Sequence, residues 1–443
     1  MRKMKRIVNI ALIFMLGGVF LFQDLAYSLS FSEKTLRVPS YFQQDEDTRE
    51  DVVHFVRPSL SRNPGFKLGM GSSKHHMARI VEELIHERIV MAQDNGETAV
   101  IRMPTGNTPL KDENGLPGVY DLLAERDDID WSRVVIFMLD EYGGTSFDYH
   151  LYIYENFIKR LKELNKKLPK VYCLVDPRST WQIDKTEEYG KKIEEFRNKG
   201  VLSVSPDEYS SVFDREIKRA RPDGPRKAHV GFGGLGKARK VSSRKFKGVH
   251  IAFNEEGSLP EERTRRTELS PRTIYSNCDD AGIQSQIGLS AHEIEELGIE
   301  GVKKALEEGR IPKAYANTTG MYELLEETET IIFAANGKSK IPSVDVVVLD
   351  EVSPDNPAAY IREHNDSYLV IDSDAASKRL NDLFPEQDNR YSKAQHRMAE
   401  ILAVQYGWDV TPEKVEKGSY DYKIGPPVLS DKIIRLRRLN RDI

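Results

Sequence analysis

Six short apolar runs, separated by stretches of helical periodicity, constrain the fold of this chain more than any other feature of its sequence. They are TAVIRM (98–103), RVVIFML (133–139), KVYCLV (170–175), AHVGFG (228–233), TIIFAA (330–335) and SYLVID (367–372). Strands that alternate with helices are joined by crossovers, which gives an α/β fold: a doubly wound, mainly parallel sheet flanked by helices. Runs this continuously apolar are covered on both faces. One covering helix is expected in SKHHMARIVEELIHERIVMAQ, where Met77, Ile80, Val81, Leu84, Ile85 and Ile89 recur at helical spacing.

The 443 residues leave room for more than that sheet. Residues 1–28 combine a basic start (MRKMKR), an apolar stretch and the small-residue pattern AYS. They read as a signal peptide, implying export or anchoring, with membrane contact confined to residues 7–22. A misassigned start would instead leave the protein cytoplasmic. Residues 29–66 read as a polar arm, 67–375 as the main domain, and 376–443 as an extension with a helix over 392–410 and a basic tail. Within the main domain, 201–214 and the Lys/Arg-rich 237–247 read as insertions. With 65 basic and 70 acidic residues, net charge −5, there is no basic field for nucleic acid. Cys173 and Cys278 stand alone, in no metal-ligand spacing, so no metal site is expected.

Parallel sheets bind ligands beyond the carboxyl ends of their strands, so the loops there carry the functional reading. The run ending at Leu139 stops on Asp140 and Glu141, which serve either as a capping pair or as acids at a reaction centre. Thr105, Gly106, Asn107 and Thr108 follow TAVIRM and can turn backbone N–H groups and hydroxyls toward an anion. Gly231, Gly233 and Gly236 match a dinucleotide fingerprint. The stretch after them has almost no apolar face for the helix that fingerprint requires, and it leads into a strand-like VHIAFNEEGS, so no nicotinamide cofactor is expected. In that piece His250 precedes Glu255 by five residues, a spacing compatible with an acid–base imidazole and its carboxylate or with a solvated pair. Lys340, after TIIFAA, can reach the same edge.

PTGNTP, FMLDEYGGTSFDYHLYIYENF, HVGFGGLG with GVHIAFNEEGSLPEERTR, RIPKAYANTTG and ANGKSK occur in this order. Together they resemble the glucosamine-6-phosphate deaminase/isomerase family from about residue 67 to 375, with a Rossmann-like fold of the sugar-phosphate isomerase type. The related 6-phosphogluconolactonases, which are hydrolases, usually carry Arg after the Asp-Glu and lack the FNE ending. The resemblance implies a cofactor-free enzyme of carbohydrate metabolism acting on a small amino-sugar phosphate. It implies Asp140 as the base that moves the C2 proton to C1, Glu141 as a supporting acid, and His250 as the ring-opening imidazole held by Glu255. Thr105 to Thr108, Gly234 and Lys340 are implied as the phosphate cradle. A homo-oligomer is implied by the resemblance alone.

Two positions depart from the family pattern. The insertion separates the glycines from His250, and no acid occupies the matching place, Gly248 or Ala238. In IYSNCDD, Asp279 stands where the family carries a phosphate-binding Arg, and Lys237, Arg239 and Lys240 are expected to compensate. A lactonase-like hydrolase or a non-catalytic sugar-phosphate binder are the competing readings.

Overall fold

The computed structural model describes residues 54–56, 65–144, 146–175, 186–242, 245–377, 380, 408–416 and 419–427. Its strands are β1 (His54–Val56), β2 (Phe66–Gly71), β3 (Ala99–Met103), β4 (Val134–Met138), β5 (Asp140–Tyr142), β6 (Lys170–Leu174), β7 (Val201–Val204) and β8 (Ala228–Gly234). The series continues with β9 (Arg239–Lys240), β10 (Phe246–Lys247), β11 (Arg265–Glu268), β12 (Tyr315–Thr318), β13 (Thr328–Ala335), β14 (Ser367–Asp372), β15 (Trp408–Glu416) and β16 (Ser419–Pro427). Nine of them form the central sheet in the order β1-β2-β14-β13-β8-β3-β4-β6-β7. All pairings are parallel except β1 with β2.

All six apolar runs are strands of this sheet, and every residue of β3, β4 and β14 is buried, as a sheet covered on both faces requires. The expected covering helix spans Lys74–Asp94, begins at the Ser73 cap and buries Met77, Ile80, Val81, Leu84, Ile85 and Ile89. The order also fixes the ligand crevice. From β3 the chain builds outward through β4, β6 and β7, then returns to place β8 on the other flank of β3. The reversal lies between β3 and β8, where loops diverge at the carboxyl edge and leave space.

A second, three-stranded antiparallel sheet, β11-β12-β5, grows out of that edge. Between β4 and β5 the Leu139 N–H still bonds to Met103 on β3, 3.1 Å, while its carbonyl accepts from Thr319 beyond β12, 2.7 Å. The chain thus changes sheets within one residue, and Asp140 is the first residue past the change.

Several sequence expectations are corrected. The segment 201–214 is not a loop: Val201–Val204 is edge strand β7, and the helix Pro206–Ala220 that follows buries Tyr209, Phe213 and Ile217. The arm 29–66 is not wholly outside the fold, because β1 pairs with β2 and Phe66 opens β2. The insertion 237–247 holds the two-residue pair β9–β10, and Phe246 packs against the core of β2, β13 and β14. The VHIAFNEEGS piece is a turn, closed by Asn254 N–H to the Ile251 carbonyl at 2.9 Å, with Ala252 at φ 50°. Such left-handed backbone costs an alanine about 1 kcal/mol or more. In the extension, β15 and β16 form a hairpin, and Trp408–Val410 belongs to β15. The rest of the helix expected over 392–410, the basic tail and residues 1–28, including 7–22, lie outside the described residues. Among the described residues no helix is long and apolar enough to cross a membrane.

Candidate active site

Asp140 and Glu141 are neighbours on β5, so their side chains leave opposite faces. Asp140 is 7% exposed and accepts a hydrogen bond from the Thr105 hydroxyl, 3.1 Å, so it faces the loop after β3. Burial raises its carboxyl from the ordinary range to about 7; the Thr105 bond opposes this, and Glu141 and Asp280 add to it. A carboxylate poised near neutrality takes and returns a proton with little driving force wasted, which suits a general base.

Glu141 does something else. Its oxygens accept from the backbone N–H groups of Tyr142 at 2.9 Å, Tyr149 at 3.1 Å and His150 at 3.1 Å, and from His150 Nδ1 at 2.8 Å. It therefore caps the helix Asp148–Ile153, filling donors that a helix start leaves open. His150 passes the link on through Nε2 to Ser203 Oγ on β7, 3.0 Å. Glu, His and Ser stand in the order of a nucleophilic relay, but burial holds the His150 pKa down at about 3, so it stays neutral rather than accepting a proton. The chain ties an edge strand to a helix. The expectation of Glu141 as a supporting acid gives way to a cap, because strand alternation turns it away from Asp140.

The glycine loop after β8 brings the second group in. Gly236 lies flat against His250: a Cβ there would stand 2.3 Å from the imidazole Cε1. The Gly236 N–H donates to the His250 carbonyl at 2.8 Å. His250 Nδ1 lies 3.0 Å from the Gly248 carbonyl, which can only accept, so Nδ1 carries the proton and Nε2 is left as a lone pair. Burial lowers the imidazole's pKa, opposed first by Glu255. The neutral form with a basic Nε2 is the result.

Glu255 does not hold the ring. It accepts from the Ser270 N–H at 3.1 Å and from the Thr273 hydroxyl, at the start of the helix Pro271–Ser276, and acts on His250 only through its charge. The imidazole's orienting partner is a backbone carbonyl, for which no side chain in the sequence gives a sign. Asn254 anchors the same turn, donating to the Thr319 carbonyl at 2.8 Å and accepting from Arg265 at 2.9 Å.

The candidate cradle assembles where the strand order reverses. Gly106, at φ 83°, turns the loop after β3, and the Tyr152 hydroxyl holds its carbonyl at 2.6 Å. The exposed Asn107 is fixed through its carbonyl by Lys74 at 2.9 Å. Gly234 ends β8 facing Thr108, whose hydroxyl would lie 3.1 Å from a Cβ there. Lys340 sits on the turn Lys338–Lys340, donates to the Leu235 carbonyl and is lowered to about 8 by burial and then by Lys237. Asp372, ending β14, accepts from the Gly337 N–H at 2.9 Å and so sets that turn.

The charges of the insertion sort differently from the expectation. Arg239 forms a bidentate pair with Glu256, Nε to Oε2 at 3.0 Å and Nη2 to Oε1 at 2.9 Å, and is already compensated. Lys240 is exposed. Asp279 is exposed, while Asp280 turns inward to accept from the Tyr142 hydroxyl at 2.6 Å. Among the described residues no cluster of His, Cys, Asp and Glu could hold a metal ion.

No family model matches the chain. Among characterised proteins, the glucosamine-6-phosphate isomerase of Candida albicans is 24% identical over 304 residues, covering 67% of this chain and 92% of that protein. The glucosamine-6-phosphate deaminase of Clostridium acetobutylicum is 24% identical over 308 residues, covering 69% and 95%. The chain is a divergent homologue of the glucosamine-6-phosphate deaminases. A solved monomeric glucosamine-6-phosphate deaminase is 20% identical over 70% of this chain and 98% of its own, with a TM-score of 0.44.

Proposed function

We propose that this protein is a glucosamine-6-phosphate deaminase/isomerase, converting the amino-sugar phosphate and water to fructose 6-phosphate and ammonia. The observation that carries the reading is Asp140: a buried carboxyl near pKa 7, at the strand tip beside the sheet's reversal point, held by Thr105. The homology to named deaminases supports the substrate class.

The chemistry follows from the groups present. His250 Nε2 takes the anomeric hydroxyl proton and delivers it to the ring oxygen, which opens the pyranose. Asp140 removes the proton from C2 of the open sugar, the C1–C2 double bond forms as the carbonyl π electrons move to O1, and O1 takes a proton from the substrate's ammonium, which gives an enolamine. Returning the proton to C1 leaves a ketimine at C2, and water replaces the nitrogen as ammonia departs. One carboxylate serves both carbons because they are adjacent, so holding the sugar in register is the larger demand. Thr105 to Thr108, Gly234 and Lys340 supply that hold, and the Glu141 cap keeps the helix behind Asp140 in place.

The test is release of ammonia and fructose 6-phosphate from glucosamine 6-phosphate by the full chain. Asp140→Asn should lower kcat by at least about 100-fold, the scale of a lost general base. Equal turnover by the variant would remove Asp140 from the reaction.

A further inference from the structure

Two tyrosines from different helices reach the peptide groups on either side of Thr105, the residue whose hydroxyl donates to Asp140. The Tyr120 hydroxyl, from the helix Val119–Glu125, donates to the Pro104 carbonyl. The Tyr152 hydroxyl, from the helix Asp148–Ile153, donates to the Gly106 carbonyl at 2.6 Å. The two rings meet edge to face at 6.1 Å, Phe157 packs on Tyr120 at 5.4 Å, and Trp131 packs on Phe157 at 5.1 Å. Tyr120 also grips the far end of the same loop, because its backbone N–H donates to the Pro109 carbonyl at 3.3 Å. Gly118, two residues earlier, comes so near that a Cβ would stand 2.4 Å from the Pro109 oxygen.

These contacts join the two acids of β5 by a second route. Glu141 accepts from the Tyr149 and His150 N–H groups at the start of Tyr152's helix. Tyr152 carries that anchorage to Gly106, and Thr105 returns it to Asp140. The circuit begins and ends on neighbouring residues. Phenylalanine would fill the same apolar space, as Phe157 does beside Tyr120, so the hydroxyls serve the carbonyls and not the packing. Both phenols stay protonated, since burial raises their pKa and the Asp140 charge adds to it.

We infer that Tyr120 and Tyr152 are positioning residues for Asp140: by pinning the carbonyls before and after Thr105, they hold its hydroxyl on the carboxylate. That Asp140 acts as a base rests on the proposed function; the clamp itself does not. A hydroxyl that donates to a carboxylate favours the ionised form, so Thr105 opposes the upward push of burial on Asp140. Releasing either carbonyl should let Thr105 drift and the Asp140 pKa rise further. The other titratable groups that act with Asp140 are Glu141 on its own strand, Asp280, Tyr149 and Cys173. Exchanging a neutral phenol for a phenyl ring leaves all their charges in place, so a shift reports where Thr105 stands.

The test titrates Asp140 without substrate, by carbon NMR of the full chain labelled with carbon-13 at its aspartate carboxyls. Its signal is the one missing from Asp140→Asn, and the pH profile of kcat/KM for glucosamine 6-phosphate is measured alongside. Tyr152→Phe and Tyr120→Phe should each raise the Asp140 midpoint by about half a pH unit or more, the scale of a weakened hydrogen bond to a carboxylate, and move the rising limb of the profile with it. Thr105→Val should shift the midpoint at least as far, and Tyr152→Phe made in that background should add nothing. Tyr154→Phe, whose ring lies against Lys162 and Lys199 instead, should leave it in place. An unmoved midpoint in folded Tyr152→Phe or Tyr120→Phe, as a merely structural role would give, overturns the clamp, and so does a shift that adds in full to that of Thr105→Val. The expected NMR shifts in a protein that does not turn over glucosamine 6-phosphate would leave the clamp standing and sink the proposed reaction alone.

Discussion

At the scale of single residues, the two acids that end one strand differ in duty: Glu141 caps a helix, and Asp140 is the proposed base. Asp140 holds its proton more tightly in the folded protein than in the unfolded chain, because burial raises its pKa to about 7. Its contribution to stability is therefore present at low pH and is lost as pH rises from the ordinary carboxyl range through about 7. Asp140→Asn, which cannot ionise, should be more stable than wild type above pH 7, by up to about 4 kcal/mol at about 1.4 per unit, and nearly equal to it below pH 4. Urea unfolding at both pH values measures the difference. Glu141→Ala should instead cost about 3 kcal/mol in the same experiment, by leaving three backbone donors and His150 Nδ1 without their acceptor. The pH–rate profile of kcat/KM should rise through about 7 as Asp140 ionises and fall through about 8 as Lys340 loses its proton. A profile flat across that interval would contradict both assignments. Gly236→Ala should fold yet lose about 100-fold in kcat/KM, because the added methyl displaces the imidazole by more than the geometry tolerates.

At the scale of elements, what was legible in the sequence and what was not follow from how each segment is stabilised. The six strands and the Lys74–Asp94 helix announce themselves because burial on both faces, or along one face, writes a period into the residues. β7 did not: VLSV lies at the sheet's edge, half covered, and Ser203 breaks its apolar run to meet His150. β1 and β5, three residues each, are too short to show a period at all. The alternation on β5 was readable in principle, and it is what assigns Asp140 and Glu141 to opposite faces. The partner of His250 was not readable, because the Gly248 carbonyl is backbone. The Lys/Arg pattern of the insertion signals cations free to meet a phosphate, whereas its pairing into β9–β10 sets Arg239 against Glu256. Arg239→Gln should accordingly leave the KM for glucosamine 6-phosphate within about twofold, which steady-state kinetics measures.

At the scale of the molecule, strand order does more for function than any one loop. Because β3 and β8 flank the reversal, the loop carrying Thr105, the glycine loop against His250 and the turn bearing Lys340 open at one edge, and the short β11-β12-β5 sheet delivers Asp140 to it. The central claim is that the proton moved between sugar carbons passes through Asp140. Incubating the protein with fructose 6-phosphate and ammonium in heavy water, and following the C1 protons of the ketose by NMR, tests it without relying on net turnover. The account predicts deuterium at C1 with the wild type and none above background with Asp140→Asn; exchange that persists in the variant would contradict it.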